Sequence, residues 1–128
     1  MKARYVDTER LKFERGAGQT LFGLYRNPFT NHPCVRAAVD STASTNLVYW
    51  GDQLLVLIEG GLPYAMDPDT LETRGYDPFK VPGITFTAHL KVDPISEELI
   101  VYGYEAKGLW TRDIVVYSLD KTGFVKNQ

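Results

Sequence analysis

The sequence predicts an all-β domain with one short N-terminal helix. Beyond Gly18 the apolar residues gather in runs of strand length. One of them, Leu54-Leu55-Val56-Leu57-Ile58, is apolar at consecutive positions, as in a strand covered on both faces. Turn-forming Gly, Pro, Asp and Asn residues punctuate the runs at short intervals. Short strands joined this way build a sandwich, a barrel or a propeller.

The helix is expected over Thr8–Arg15, where Thr8 or Asp7 can cap the first turn, Glu9 lies within it, and Gly16 and Gly18 can stop it. After Gly18 the reading is almost entirely β, beginning with the apolar and aromatic run Leu21–Arg26, which Asn27-Pro28 ends. A proline-rich loop follows through Asn31-His32-Pro33. Thr45–Trp50 and Gln53–Glu59 flank Gly51-Asp52, the pattern of a tight hairpin. Leu62–Met66 and Leu71–Tyr76 flank the turn Asp67-Pro68-Asp69-Thr70. A second hairpin is expected between Ile84–Val92 and Glu98–Glu105, joined through Asp93-Pro94-Ile95-Ser96-Glu97. Ile114–Leu119 is the next strand, and Phe124-Val125 begins another after the turn Asp120-Lys121-Thr122-Gly123. A strand that has barely begun predicts a chain cut from something longer. At roughly 40–45 residues per four-stranded blade, a propeller reading gives about three blades. Their open edges predict self-association.

With 128 residues, 44% hydrophobic and 23% charged, residues 1–128 have the size and composition of one globular domain. A core of this size needs no disulfide framework. A single cysteine, Cys34, cannot form an internal disulfide and fits a reducing compartment. The net charge is −2 and no basic run occurs, so nucleic acid is not an expected partner. The N-terminus lacks the apolar core of a signal peptide, and the longest apolar runs are strand-sized, which predicts a cytoplasmic protein.

Two residues carry the chemical signal. His89 sits in the apolar segment Phe86–Val92, where strand alternation puts it on one face with Thr87 and Lys91. It reads either as a hydrogen-bonded structural histidine or as a metal ligand. Glu59 ends the aliphatic run before Gly60-Gly61, as a rim carboxylate or as a buried one that needs a partner. An imidazole N–H donating to a carboxylate is a common way to orient a metal-bound histidine. Other motifs dissolve on inspection. His32-Pro33-Cys34 has no further ligand nearby. Gly16-Ala17-Gly18 follows no strand and lacks a third glycine. Asp67-Pro68-Asp69 lacks the glycine and distal glutamate of a calcium loop. No Gly-x-Ser-x-Gly supports an esterase nucleophile.

At these residues the chain resembles the carotenoid cleavage oxygenases, which include the lignostilbene dioxygenases. The resemblance rests on Leu21–Phe29, Thr45-Asn46, Glu59-Gly60-Gly61-Leu62-Pro63-Tyr64, Asp67–Thr73, Phe86-Thr87-Ala88-His89-Leu90-Lys91-Val92-Asp93-Pro94 and Gly103-Tyr104-Glu105-Ala106. It runs over nearly all of this chain but covers an N-terminal part of the family's longer catalytic domain. It implies a seven-bladed β-propeller with non-haem Fe(II) on its axis, held by four histidines, three of them oriented by glutamates. By that resemblance His89 is an iron ligand, Glu59 the glutamate paired with it, and Tyr25 a residue that approaches the substrate. The implied reaction is O2-dependent cleavage of a conjugated C=C bond into two carbonyl products. The substrate would be a small apolar polyene or a stilbenoid.

Two positions depart from the family pattern. Leu90 replaces the usual proline after the histidine. Ile58 stands where the stilbene-cleaving branch has a lysine that helps the tyrosine bind a phenol, so an apocarotenoid or other polyene joins the stilbenoids as a candidate. The sequence holds two histidines, and His32 lies in an unrelated loop, so the remaining iron ligands are expected elsewhere. The isolated chain is therefore expected to be inactive. The alternative from another class is a non-catalytic β module in which His89 and Glu59 are structural.

Overall fold

The structure, a computed structural model, describes residues 1–127; Gln128, the last residue of the expected domain, lies outside the described residues. The chain divides into two compact units: Asp7–Thr42, and Met1–Val6 together with the chain from Ala43 onward.

In the unit Asp7–Thr42, helix α1 spans Glu9–Ala17, with Thr8 accepting the Leu11 N–H as N-cap and Gly18 closing the helix at φ +65°. Gly16-Ala17-Gly18, which lacks the features of a nucleotide fingerprint, is thus the helix's last turn and its cap. Residues Leu21–Arg26 do not form the β segment expected of them. Their donors are taken by side chains: Glu14 Oε1 accepts from the N–H groups of Leu21 and Phe22, Asn31 Oδ1 from Gly23, and Thr30 Oγ1 from Leu24. That leaves no ladder for a neighbouring strand. Two 3-10 turns follow at Pro28–Thr30 and Pro33–Val35. Leu21, Phe22 and Val35 form this unit's small core, and the Arg10 guanidinium lies 5.2 Å from the Phe22 ring centre.

The second unit holds two antiparallel meanders. One contains β1 (Asn46–Trp50), β2 (Gln53–Leu57), β3 (Tyr64–Met66) and β4 (Thr73–Tyr76), in that order. The other contains β5 (Lys91–Val92), β6 (Leu99–Tyr104), β7 (Ile114–Leu119) and β8 (Val125–Asn127). Four-stranded meanders are the building units of propellers. The expected count of about three blades becomes two four-stranded sheets among the described residues, because the first forty-odd residues go into helix and turns. Gly51 and Asp52 both take positive φ, 60° and 58°, which is the twist-matched turn a two-residue hairpin requires.

Strand β2 is interior and covered on both faces, as its composition predicts. Leu55 and Leu57 enter the main core with Leu99 and Val101 of β6 and Tyr117 and Leu119 of β7. Leu54 and Val56 face the other way, among Tyr64, Met66 and Val6. The opposite face of the β6–β7 pair leaves Tyr102, Ile114 and Val116 exposed. No helix among the described residues is long and apolar enough to cross a membrane.

The expected strand Ile84–Val92 is a correction. Only Lys91–Val92 pairs as a strand, and Phe86 makes a single bridge to Gly61. Thr85, Phe86, Thr87 and Ala88 are buried in succession, without alternation. This segment lies against β6 at Gly103, where a β-carbon would come within 2.6 Å of the Thr85 carbonyl oxygen. Close backbone approach, rather than strand pairing, fixes its course.

Candidate functional site

Glu59 and His89 arrive from two irregular segments that meet beside the main core. Strand β2 ends at Leu57, and Glu59 follows before Gly60 turns at φ +78°. The Gly60 N–H donates to the Phe86 carbonyl at 3.2 Å, and Gly61 bridges Phe86. These contacts carry the Glu59 carboxylate to the residues just ahead of His89. Its Oε2 accepts from the Ala88 N–H at 2.9 Å and from the Thr87 hydroxyl at 3.3 Å. The Thr87 oxygen in turn accepts from the His89 N–H at 2.9 Å. On the other side, Asn46 Nδ2 donates to the Ala88 carbonyl at 2.9 Å.

The side chains divide sharply. Thr87 and Ala88 are fully buried, whereas His89 is exposed and Glu59 half-buried. Thr87 and His89 therefore do not share a face, contrary to the strand alternation expected of them, because the segment is not a strand. A buried Thr-Ala pair holds the main chain while the imidazole projects outward. An exposed neutral imidazole is a suitable ligand for Fe(II), and it fits one coordination position. Among the described residues no group of three or more His, Cys, Asp or Glu side chains could hold a metal ion. As a metal ligand, His89 would supply a single coordination position.

Tyr25 lies in the other unit, half-buried in a turn. Arg26 beside it has φ +62°, and its N–H donates to Asp40 Oδ2 at 3.3 Å. Asp40 is itself paired with Arg10 at 2.9 Å. Ile58 is 7% exposed. His32 and Cys34 pair with each other, Nδ1 to Sγ at 2.8 Å. Asp67 caps its own turn through the Asp69 and Thr70 N–H groups and binds Arg74, and Asp93 likewise accepts from Ile95 and Ser96. Both are turn-making carboxylates. Reading the residues one at a time missed Asn46 and Thr87. The signal available for Asn46 was its place in the Thr45-Asn46 block, far in sequence from His89.

The family described as retinal pigment epithelial membrane protein matches residues 1–128. The chain belongs to the carotenoid cleavage oxygenase family. Among the family's curated members, it is 66% identical over 126 residues to resveratrol cleavage oxygenase 1 of Botryotinia fuckeliana, covering 96% of this chain and 23% of that one. It is 50% identical over 125 residues to carotenoid cleavage oxygenase 1 of Neurospora crassa, again covering 96% of this chain and 23% of the relative. The crystal structure of Pseudomonas brassicacearum lignostilbene dioxygenase superposes with a TM-score of 0.88 at 42% identity, over 97% of this chain and 26% of that one. The chain thus spans about a quarter of the length of these carotenoid cleavage oxygenases.

Proposed function

We propose that this chain is the N-terminal part of a non-haem Fe(II) dioxygenase that cleaves a conjugated C=C bond with O2 to give two carbonyl products. His89 would ligate the iron, Glu59 would hold it in orientation, and Tyr25 would approach the substrate. The observation that carries the reading is the grip of Glu59 on Ala88 and Thr87, which brings a carboxylate to the two residues directly ahead of the exposed histidine of the shared Ala-His-x-Lys-x-Asp-Pro block. When bound, Fe(II) supplies the activation of O2. The chain's own part is to present one imidazole from a rigid, buried main-chain segment and to keep that imidazole's direction fixed.

For substrate we propose a stilbenoid first. The name of the Botryotinia fuckeliana relative supports this choice, and that protein is 66% identical. The buried Ile58 cannot donate a hydrogen bond to a phenol, so a polyene without a phenol is the second candidate. A cytoplasmic setting belongs to the same proposal. One imidazole does not build a catalytic iron site, so the isolated chain is expected to be inactive. Incubation with Fe(II), O2 and a stilbenoid or apocarotenoid tests this, with aldehyde products followed by chromatography. Product at the protein-free level is expected; cleavage stoichiometric with the chain contradicts the reading. The exposed Tyr102, Ile114 and Val116 favour self-association as the behaviour of the isolated chain. That would make it a self-associating module in isolation, and sizing chromatography reads it directly.

A further inference from the structure

Two side chains outside the expected ligand set hold the peptide on which His89 is mounted. The Ala88–His89 peptide unit is gripped at both ends. Asn46 Nδ2 donates to its carbonyl oxygen at 2.9 Å, and its N–H donates to Thr87 Oγ1 at 2.9 Å. The orientation of the Asn46 amide is fixed independently, because its Oδ1 accepts from the Leu47 N–H at 2.8 Å. The Thr87 hydroxyl spends its own proton on Glu59 Oε2, which also accepts from the Ala88 N–H.

Thr87 is fully buried, so water does not compete for its hydroxyl. A peptide is planar, and pinning both its oxygen and its N–H fixes the plane. The plane fixes the N–Cα bond of His89, the axis from which its Cβ and imidazole project. Asn46 belongs to β1 and Glu59 follows β2, so the direction of the imidazole is referred to the first sheet rather than to its own loop.

We propose that Asn46 and Thr87 are positioning residues for His89, fixing the peptide that aims its imidazole toward the metal axis. The proposal rests on the assignment of His89 as a ligand. Neither residue touches metal or substrate in this role.

Nuclear magnetic resonance on the 128-residue chain tests it, with Thr87→Val, Thr87→Ser and Asn46→Leu compared with the parent. Two signals are read: hydrogen exchange of the His89 amide, and the HN–Hα coupling that reports its φ angle. Thr87→Val and Asn46→Leu are expected to speed His89 exchange about tenfold and to move that coupling toward its random-coil value. Thr87→Ser, which keeps the hydroxyl, is expected to stay within about threefold of the parent. The amides of Leu99 and Val101 in the core serve as the reference for global opening. Unchanged His89 signals in both variants overturn the proposal. So does a uniform rise across His89, Leu99 and Val101 in both, because the two side chains would then serve the fold and not the histidine. Neither signal involves metal, so failure here leaves the ligand assignment standing. Failure of that assignment shows instead as iron retention after His89→Ala in a metal-loaded oxygenase.

Discussion

Gly103→Ala drives a methyl group into the segment that carries the candidate site. The added β-carbon would lie 2.5 Å from Thr85 Oγ1, 2.6 Å from the Thr85 carbonyl oxygen and 2.9 Å from its carbonyl carbon. Two of these three atoms are main chain, so no rotamer change relieves the overlap. Gly103 is the last residue but one of β6, paired with Val115, and cannot retreat without disturbing the ladder. Overpacking of this kind costs about 1–3 kcal/mol. Alanine recovers about 0.5–1 kcal/mol of backbone entropy relative to glycine, which leaves a net loss of about 0.5–2 kcal/mol. For a chain of this size that corresponds to a fall in Tm of about 2–10 °C. Denaturation followed by circular dichroism reads the stability, and amide chemical shifts locate the strain. The shifts are expected to concentrate at Thr85–His89 across from the substitution. A variant as stable as the parent, or one whose shifts avoid those residues, refutes the close-approach explanation of why the segment is not a strand.

Three further outcomes follow from local contacts. Gly16→Ala, where a β-carbon would meet no atom within 4 Å inside helix α1, should stabilise the helix by about 0.5–1 kcal/mol, seen as a higher denaturation midpoint. Thr8→Ala removes the cap of that helix and should cost about 1 kcal/mol by the same measurement, with Thr8→Ser close to neutral. The Thr70 N–H, the Arg74 guanidinium and the Asp69 N–H hold the Asp67 carboxyl well below the usual carboxylate range. A depressed folded pKa means the unfolded chain takes up the proton first, so this contribution is present at neutral pH and fades on acidification below about pH 5. Asp67→Asn should therefore flatten the acid limb of the Tm–pH curve; an unaltered limb removes Asp67 from the acid response.

How much of this was legible in the sequence depended on whether local chemistry decided the conformation. The β1–β2 hairpin was readable because Gly51-Asp52 can take two positive φ angles and few other pairs do so readily. The helix was readable from a capping threonine and a stopping glycine, with its end two residues beyond expectation. Leu21–Arg26 was misread because the donors that would feed a strand are captured by Glu14, Thr30 and Asn31, side chains that no periodicity reveals. Ile84–Val92 was misread for a related reason. Its apolar content reflects Thr85–Ala88, buried in succession, and the steric opening at Gly103 that admits them lies fifteen or more residues away. Family resemblance singled out His89 and Glu59 as candidates, but not the route between them. That route runs through Thr87 and Ala88 and is closed by Asn46, 43 positions before His89.

The measurement that bears most directly on His89 is the iron content of a chimera. In it this chain replaces the matching 26% of Pseudomonas brassicacearum lignostilbene dioxygenase. The chimera is expected to keep its iron and its ability to cleave a stilbene, to lose both with His89→Ala, and to keep both with His32→Ala. A His89→Ala chimera that retains full iron would contradict the assignment on which the function proposed for this chain stands.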